Sequence, residues 1–227
     1  MWFSDCSIPR VLNTLGIVTT EGQGTWASTQ RPGRENVRER LLQAAADEFT
    51  ENGYAAAKLQ DIARRAGFTK GAVYSNFDSK QTLFAELLSK RSMDLAARVI
   101  DTVSGLGPGD AAGRGGDAIA DWVVDEPRWP LLVTEFGIQA GRTPELAEGY
   151  RRERRRLRDE LERLIAERAA AWGVADTLDA RRVATSLLAL ISGLAVEHSV
   201  DPDEIDQHAI GDAITELFAG AIARAQH

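Results

Sequence analysis

Cysteine is almost missing from this chain of 227 residues: Cys6 is the single copy. Neither a disulfide framework nor a cysteine-based zinc site can be built from it, and a reducing cytoplasm is the expected compartment. Histidine is nearly as scarce. His198, His208 and His227 are the only three, and none stands in the i,i+4 or acidic-neighbour arrangement of a recognised metal motif. No uninterrupted run of about 18 apolar residues offers a bilayer span. No stretch alternates in the manner of a strand, and no pattern pairs a nucleophile with a base or two carboxylates for acid–base work. These absences argue against a membrane protein and a metalloprotein, call for no cofactor, and leave an enzyme without a candidate site.

What remains is an ordinary globular composition, 44% hydrophobic and 27% charged, long enough for one small and one larger domain. The opening "MWFSDCSIPRVLNTLGIV" has an acidic residue where an export signal needs positive charge. Residues 19–34 are rich in Thr, Gly, Gln and Ser, so residues 1–33 are expected to form a flexible arm. The net charge is −7, yet it is unevenly spread. Residues 31–90 carry ten Lys and Arg against eight Asp and Glu, while residues 91–227 carry sixteen against twenty-four. An acidic whole therefore leaves room for a local basic patch, which is what phosphate binding requires.

Helical spacing runs from Arg34 to Thr50, with Glu48 as its one charged exception on the apolar side, and Asn52-Gly53 ends it. "KLQDIARRA" places Leu59, Ile62, Ala63 and Ala66 on one face, Gly67 breaks the helix, and "TKGAVYSNF" restarts with Thr69 at a capping position. Asp78 and Gln81 have the spacing of a capping box for a fourth helix carrying Leu83, Phe84, Leu87 and Leu88. "GLGPGDAAGRGG", residues 105–116, reads as a loop, and without a Gly-Lys-Ser/Thr ending it is no phosphate loop. Further helices are expected at about 113–125, 128–141, 144–172, 178–199 and 203–225.

Two helices joined by a tight turn suit the major groove of DNA if the second carries small and polar residues outward and cations sit at its edges. Val73 and Phe77 are spaced to face the core with Phe68. That leaves Thr69, Lys70, Gly71 and Ala72 for the approach to DNA, with Tyr74, Ser75 and Asn76 one turn on. Lys80 stands against the dipole of the following helix, which calls for an external anion.

"AADEFTENGY" followed by "QDIARRAGFTKGAVYSNFDSKQTLF" resembles the amino-terminal DNA-binding domain of the TetR/AcrR family of transcriptional regulators, over about residues 34–88. The resemblance implies an all-α, TetR-like fold: a helix-turn-helix domain at 34–82 and a helical ligand-binding and dimerisation domain at 83–227. It also implies a homodimer on double-stranded, palindromic operator DNA, most often a repressor released by a small-molecule effector. Carried over by position, Thr69, Lys70, Tyr74 and Lys80 would touch phosphates, and Ala72 and Ser75 would lie against base edges. This chain departs from the family in having Ala57-Lys58 where a hydroxyl residue usually caps the second helix. A helical small-molecule-binding or enzymatic protein with a vestigial helix-turn-helix is the alternative.

In the larger domain Trp122, Trp129, Phe136, Tyr150 and Trp172 concentrate the aromatics and are candidate ligand contacts, though core packing explains each ring equally. Asp121, Asp125, Glu126 and Glu135 nearby would suit a cationic ligand. The arginine-rich "GYRRERRRLRDELERLIAER" reads as a solvated face with Arg155–Asp159, Arg156–Glu160 and Arg158–Glu162 paired at i,i+4. The last two helices are apolar around most of their girth. Leu187, Ile191 and Leu194 on one, and Ile214, Leu217 and Phe218 on the other, are expected at a four-helix dimer interface.

Overall fold

The computed structural model describes residues 33–226; residues 1–32 of the expected arm, Cys6 among them, and His227 lie outside them. Among the described residues there are nine helices and no strand. They are α1 (Arg34–Ala56), α2 (Leu59–Arg65), α3 (Lys70–Tyr74), α4 (Lys80–Val103), α5 (Pro108–Asp125), α6 (Arg128–Arg142), α7 (Pro144–Ala171), α8 (Ala180–Val200) and α9 (Gln207–Ala225).

The first core gathers the inner faces of α1–α3 around the start of α4. Phe49, Ile62, Val73, Phe77 and Phe84 are all sealed from solvent there. Gly53 turns the chain at the end of α1 with φ 73°, a conformation that costs glycine little and other residues much. Glu48, the charged exception on the inner face, is buried at 5% exposure and faces the Arg65 guanidinium at 3.6 Å. This core does not stop at α4. Trp129, Leu132 and Phe136 of α6 belong to it, so α4 and α6 tie the amino-terminal unit to the remainder.

A second core joins α5, α8 and α9 through Ile119, Val123, Leu187, Ile210 and Ile214. The glycine-rich stretch expected to be a loop is largely helix: α5 starts at Pro108, in the first turn where proline is tolerated. Its glycines serve close packing. A Cβ on Gly116 would meet the Gly211 carbonyl oxygen of α9 at 2.6 Å as well as the Thr215 hydroxyl. The cap of α4 is also displaced by one residue from the expected Asp78: Ser79 accepts from the Thr82 amide at 3.0 Å.

Contrary to the sequence expectation, α8 is by length and composition apolar enough to cross a bilayer. Its apolar residues have other uses here. Val183, Ala184, Leu187 and Ala195 are buried against the rest of the chain, and Arg181 ties its first turn to Asp159 and Glu162 on α7.

Candidate nucleic-acid interface and ligand cavity

The turn between α2 and α3 is built on Gly67, at φ 76°, with the Phe68 amide donating to the Ala63 carbonyl at 2.8 Å. Arg40 reinforces it from α1. Its guanidinium donates to the Ala66 carbonyl at 2.8 Å and lies 4.7 Å over the Phe68 ring. Arg38 does the same at the far end of α3, donating to the Asn76 carbonyl at 2.7 Å and to Glu86 on α4 at 2.8 Å, over the Phe77 ring at 4.5 Å. Sequence reading missed both arginines, because each acts on a backbone carbonyl 26 or more residues away.

With its ends held, α3 turns one side in and one side out. Val73 is fully buried, whereas the adjacent Tyr74 is 50% exposed. Thr69, Lys70, Gly71 and Ser75 are exposed with it, and Ala72 and Asn76 are half-buried. Thr69 caps the helix by accepting from the Ala72 amide at 3.3 Å. Ser75 and Asn76 turn back on their own helix, both donating to the Ala72 carbonyl. At the start of α2, Lys58 stands at the cap position with no side-chain hydrogen bond, as expected of Ala57-Lys58. The α2 dipole is matched instead by Asp61 in its first turn and by Arg64 and Arg65 in its last.

Lys80 is placed differently from the sequence expectation. Its ammonium donates to the carbonyls of Tyr54 at 2.8 Å, Ala57 at 3.1 Å and Ala55 at 3.2 Å, and lies 4.6 Å from the Tyr54 ring centroid. Three donors meet three acceptors, so carbonyls from the last turn of α1 and from Ala57 offset the charge for which the sequence called for an external anion. Burial pushes its pKa below the ordinary lysine value.

Behind this unit, α4 to α9 line a partly open cavity of about 160 Å³. Trp122, Trp129 and Trp172 line it; Phe136 and Tyr150 do not. Phe136 is drawn into the first core, edge-on to Tyr54 with centroids 4.3 Å apart, and Tyr150 packs on Phe136 at 5.5 Å. No carboxylate lines the cavity among the described residues. Glu126 pairs with Arg91 at 2.5 Å, Glu135 accepts from Gln139 at 2.9 Å, Asp121 is held by Gln207, and Asp125 is exposed. The acidic cluster expected to suit a cation is thus spent elsewhere. The charged residues on the cavity wall are Arg154 and Arg168.

The six residues expected at a dimer interface divide. Leu187 and Ile214 are buried within the single chain, Leu187 on the cavity wall and Ile214 in the second core. Ile191 and Phe218 are partly buried and also line the cavity, while Leu194 and Leu217 are partly buried beside the second core. Among the residues that α8 leaves exposed is a stripe without charge, Ala189, Gly193, Val196 and Val200, the last two 36% and 78% exposed.

Two family models match the chain: bacterial regulatory proteins of the tetR family over residues 41–87, and the C-terminal domain of BetI-type transcriptional repressors over residues 117–223. The HTH-type transcriptional repressor SCO4008 of Streptomyces coelicolor is 32% identical over 136 residues, 57% of this chain and 67% of that protein. The HTH-type regulator YdgC of Bacillus subtilis is 48% identical over 52 residues, 23% of this chain and 27% of YdgC. The chain thus spans well under two thirds of YdgC's length. The fold also matches FadR of Bacillus subtilis, solved in complex with stearoyl-CoA, at a TM-score of 0.61 and 16% identity, over 81% of this chain and 98% of FadR. The helix-turn-helix at 59–74 and the helical domain behind it are each matched, and this chain belongs to the TetR family of bacterial transcriptional regulators.

Proposed function

We propose that the chain works in the cytoplasm as a homodimeric repressor, holding a palindromic operator through α3 and releasing it when a small molecule fills the cavity. One observation carries the reading. A helix locked from inside by Val73 turns Tyr74, Lys70, Thr69 and Ser75 to solvent, where they do no packing. Phenol, ammonium and hydroxyl donors at the edges of a short helix position a phosphate backbone, and small residues between them admit base edges. Dimerisation follows from geometry, since one such helix covers a half-site and two must sit about 34–36 Å apart or a multiple of it. The uncovered stripe on α8 supports a twofold contact there. FadR, with its stearoyl-CoA, supports the cavity as an effector site.

The experiment is binding to DNA from upstream of the chain's own gene, competed with random DNA over a range of salt. Specific retention against a large excess of random DNA is expected. Displacement by random DNA as readily as by unlabelled upstream DNA would leave only non-specific binding and defeat the reading.

A further inference from the structure

We propose that the cavity takes a single-chain anionic amphiphile, a long-chain carboxylate or its nucleotide thioester, with the head at Arg154 and the chain running along α7 toward Arg168; this rests on the cavity being the effector site.

The floor of the cavity is one stripe of α7. Arg154, Leu157, Leu161, Leu164, Ile165 and Arg168 all line it, at spacings that keep them on one face. The two arginines stand fourteen positions apart on the helix, about 21 Å, the length of an extended chain of roughly 14–18 carbons. A volume of about 160 Å³ drawn out over that length would hold one extended chain. Its walls are otherwise apolar apart from Ser92, Ser192 and the tryptophan N–H groups.

The charge balance gives the site a direction. The acids expected to pair with the arginine run are taken by others: Arg163 holds Glu160 and Glu167, and Arg181 holds Asp159 and Glu162. Among the described residues Arg154 and Arg158 make no ion pair, and the Arg158 Nε is buried without a hydrogen-bond partner. Arg158 is not on the cavity wall itself; it lies one turn of helix from Arg154. Half-buried guanidinium groups without an anion are costly, and a carboxylate or phosphate at this end would relieve them. Arg168 has less need of one, because it stands in the last turn of α7, where the helix dipole already favours a cation.

The head also falls where it can be felt. Arg154 lies 6.0 Å over the Tyr150 ring, Tyr150 meets Phe136, and Phe136 meets Tyr54 at the end of α1. An anion that moved Arg154 would act on the aromatic contact between the two units.

The test is titration of the full chain with hexadecanoate, hexadecanol, hexadecyltrimethylammonium, octanoate and hexadecanoyl-CoA, each below its micelle concentration, read by tryptophan fluorescence. Hexadecanoate is expected to bind at least about tenfold tighter than hexadecanol and at least about 100-fold tighter than octanoate. In Arg154→Gln the preference for acid over alcohol should vanish. In Arg155→Gln, on the exposed side of α7, it should persist, and Arg168→Gln should weaken acid and alcohol about alike. If the thioester alone binds, with the same dependence on Arg154, the ligand is the nucleotide-borne form. Equal affinity for acid and alcohol, preference for the ammonium, no binding by acid or thioester, or an undiminished preference in Arg154→Gln would each overturn the proposal. Operator retention by the unliganded wild type, measured in parallel, reports on the regulator reading alone.

Discussion

Phe136 of α6 sets its ring edge-on to Tyr54 at the end of α1, with centroids 4.3 Å apart, and both rings pack against Phe84 of α4. The contact joins the unit that carries α3 to the unit that carries the cavity. Trp129 stands on both sides of it, as a cavity wall and at 6.2 Å from Phe84. Phe136→Ala should therefore cost about 3–5 kcal/mol of stability, as for other buried aromatics. Urea unfolding followed by circular dichroism checks this; a loss of ligand affinity with stability intact would return Phe136 to the cavity.

Tyr54 carries a buried hydroxyl with no partner among the described residues. Replacing it with phenylalanine keeps the ring and removes the unsatisfied group, so Tyr54→Phe should be neutral or stabilise by about 1 kcal/mol. Burial pushes the Tyr54 pKa up to about 12. The unfolded chain gives up this proton first, at about 10, so the folded state binds more protons and stability falls as pH rises between the two values. Lys80, pushed down by burial, acts in the opposite sense below its own ordinary value. Urea midpoints at about pH 8 and about pH 11 should show a smaller alkaline loss in Tyr54→Phe than in wild type. An identical loss in the two would place the titration elsewhere.

Two glycines of α5 should respond oppositely to the same change. Gly116→Ala drives a methyl into the Gly211 carbonyl and the Thr215 hydroxyl of α9, forcing the helices apart at a cost of about 1–3 kcal/mol or more. Gly113 has nothing within 4 Å of its Cβ position, so Gly113→Ala should stabilise by about 0.5–1 kcal/mol through helix propensity and the entropy of the unfolded chain. Paired thermal melts decide it, and equal shifts of one sign would refute the close approach.

These glycines show where the sequence was readable. Val73 inward and Tyr74 outward follow from 3.6-residue spacing, a local property, and so does the amphipathic course of α1 and α4. Gly115 and Gly116 looked like loop because glycine signals both a turn and a close helix approach, and only the presence of α9 separates the two. Lys80 looked free because its acceptors at 54, 55 and 57 come from another element. Arg155, Arg156 and Arg158 had acids at the right spacing, but Arg163 and Arg181 reach those acids instead. Periodicity marks which face is apolar, but not whether a partner, a cavity or the chain's own core covers it. That is why Leu187 and Leu194 read alike.

That division predicts two classes of α8 and α9 variant. Leu187→Glu and Ile214→Glu bury a charge inside the subunit and should unfold it. Gly193→Glu and Val196→Glu fall on the uncovered stripe, where a Gly193 Cβ meets nothing within 4 Å. They should leave a folded monomer whose operator affinity drops by roughly 10²–10⁴ with the loss of the second half-site. Sedimentation velocity and circular dichroism separate the classes; intact dimers in both stripe variants would move the interface off α8.

The two lysines that open α3 and α4 should part company in a salt titration. Lys70 is exposed, close only to the Tyr74 ring at 5.6 Å, and is free to neutralise a phosphate. Lys70→Ala should weaken operator and random DNA alike and lower the slope of log affinity against log salt by about one unit. Lys80 has its three donors committed to Tyr54, Ala55 and Ala57. Removing them orphans the carbonyls of the buried Tyr54 and Ala57, so Lys80→Ala should cost roughly 1–3 kcal/mol of stability while leaving the salt slope of the folded fraction nearly unchanged. Lys80→Arg should not rescue it, because a planar fork cannot reproduce three converging donors from one nitrogen. Fluorescence anisotropy across a salt series, with urea unfolding of the same preparations, yields both quantities. A one-unit fall in slope for Lys80→Ala with stability unchanged would show that its ammonium leaves the carbonyls for DNA.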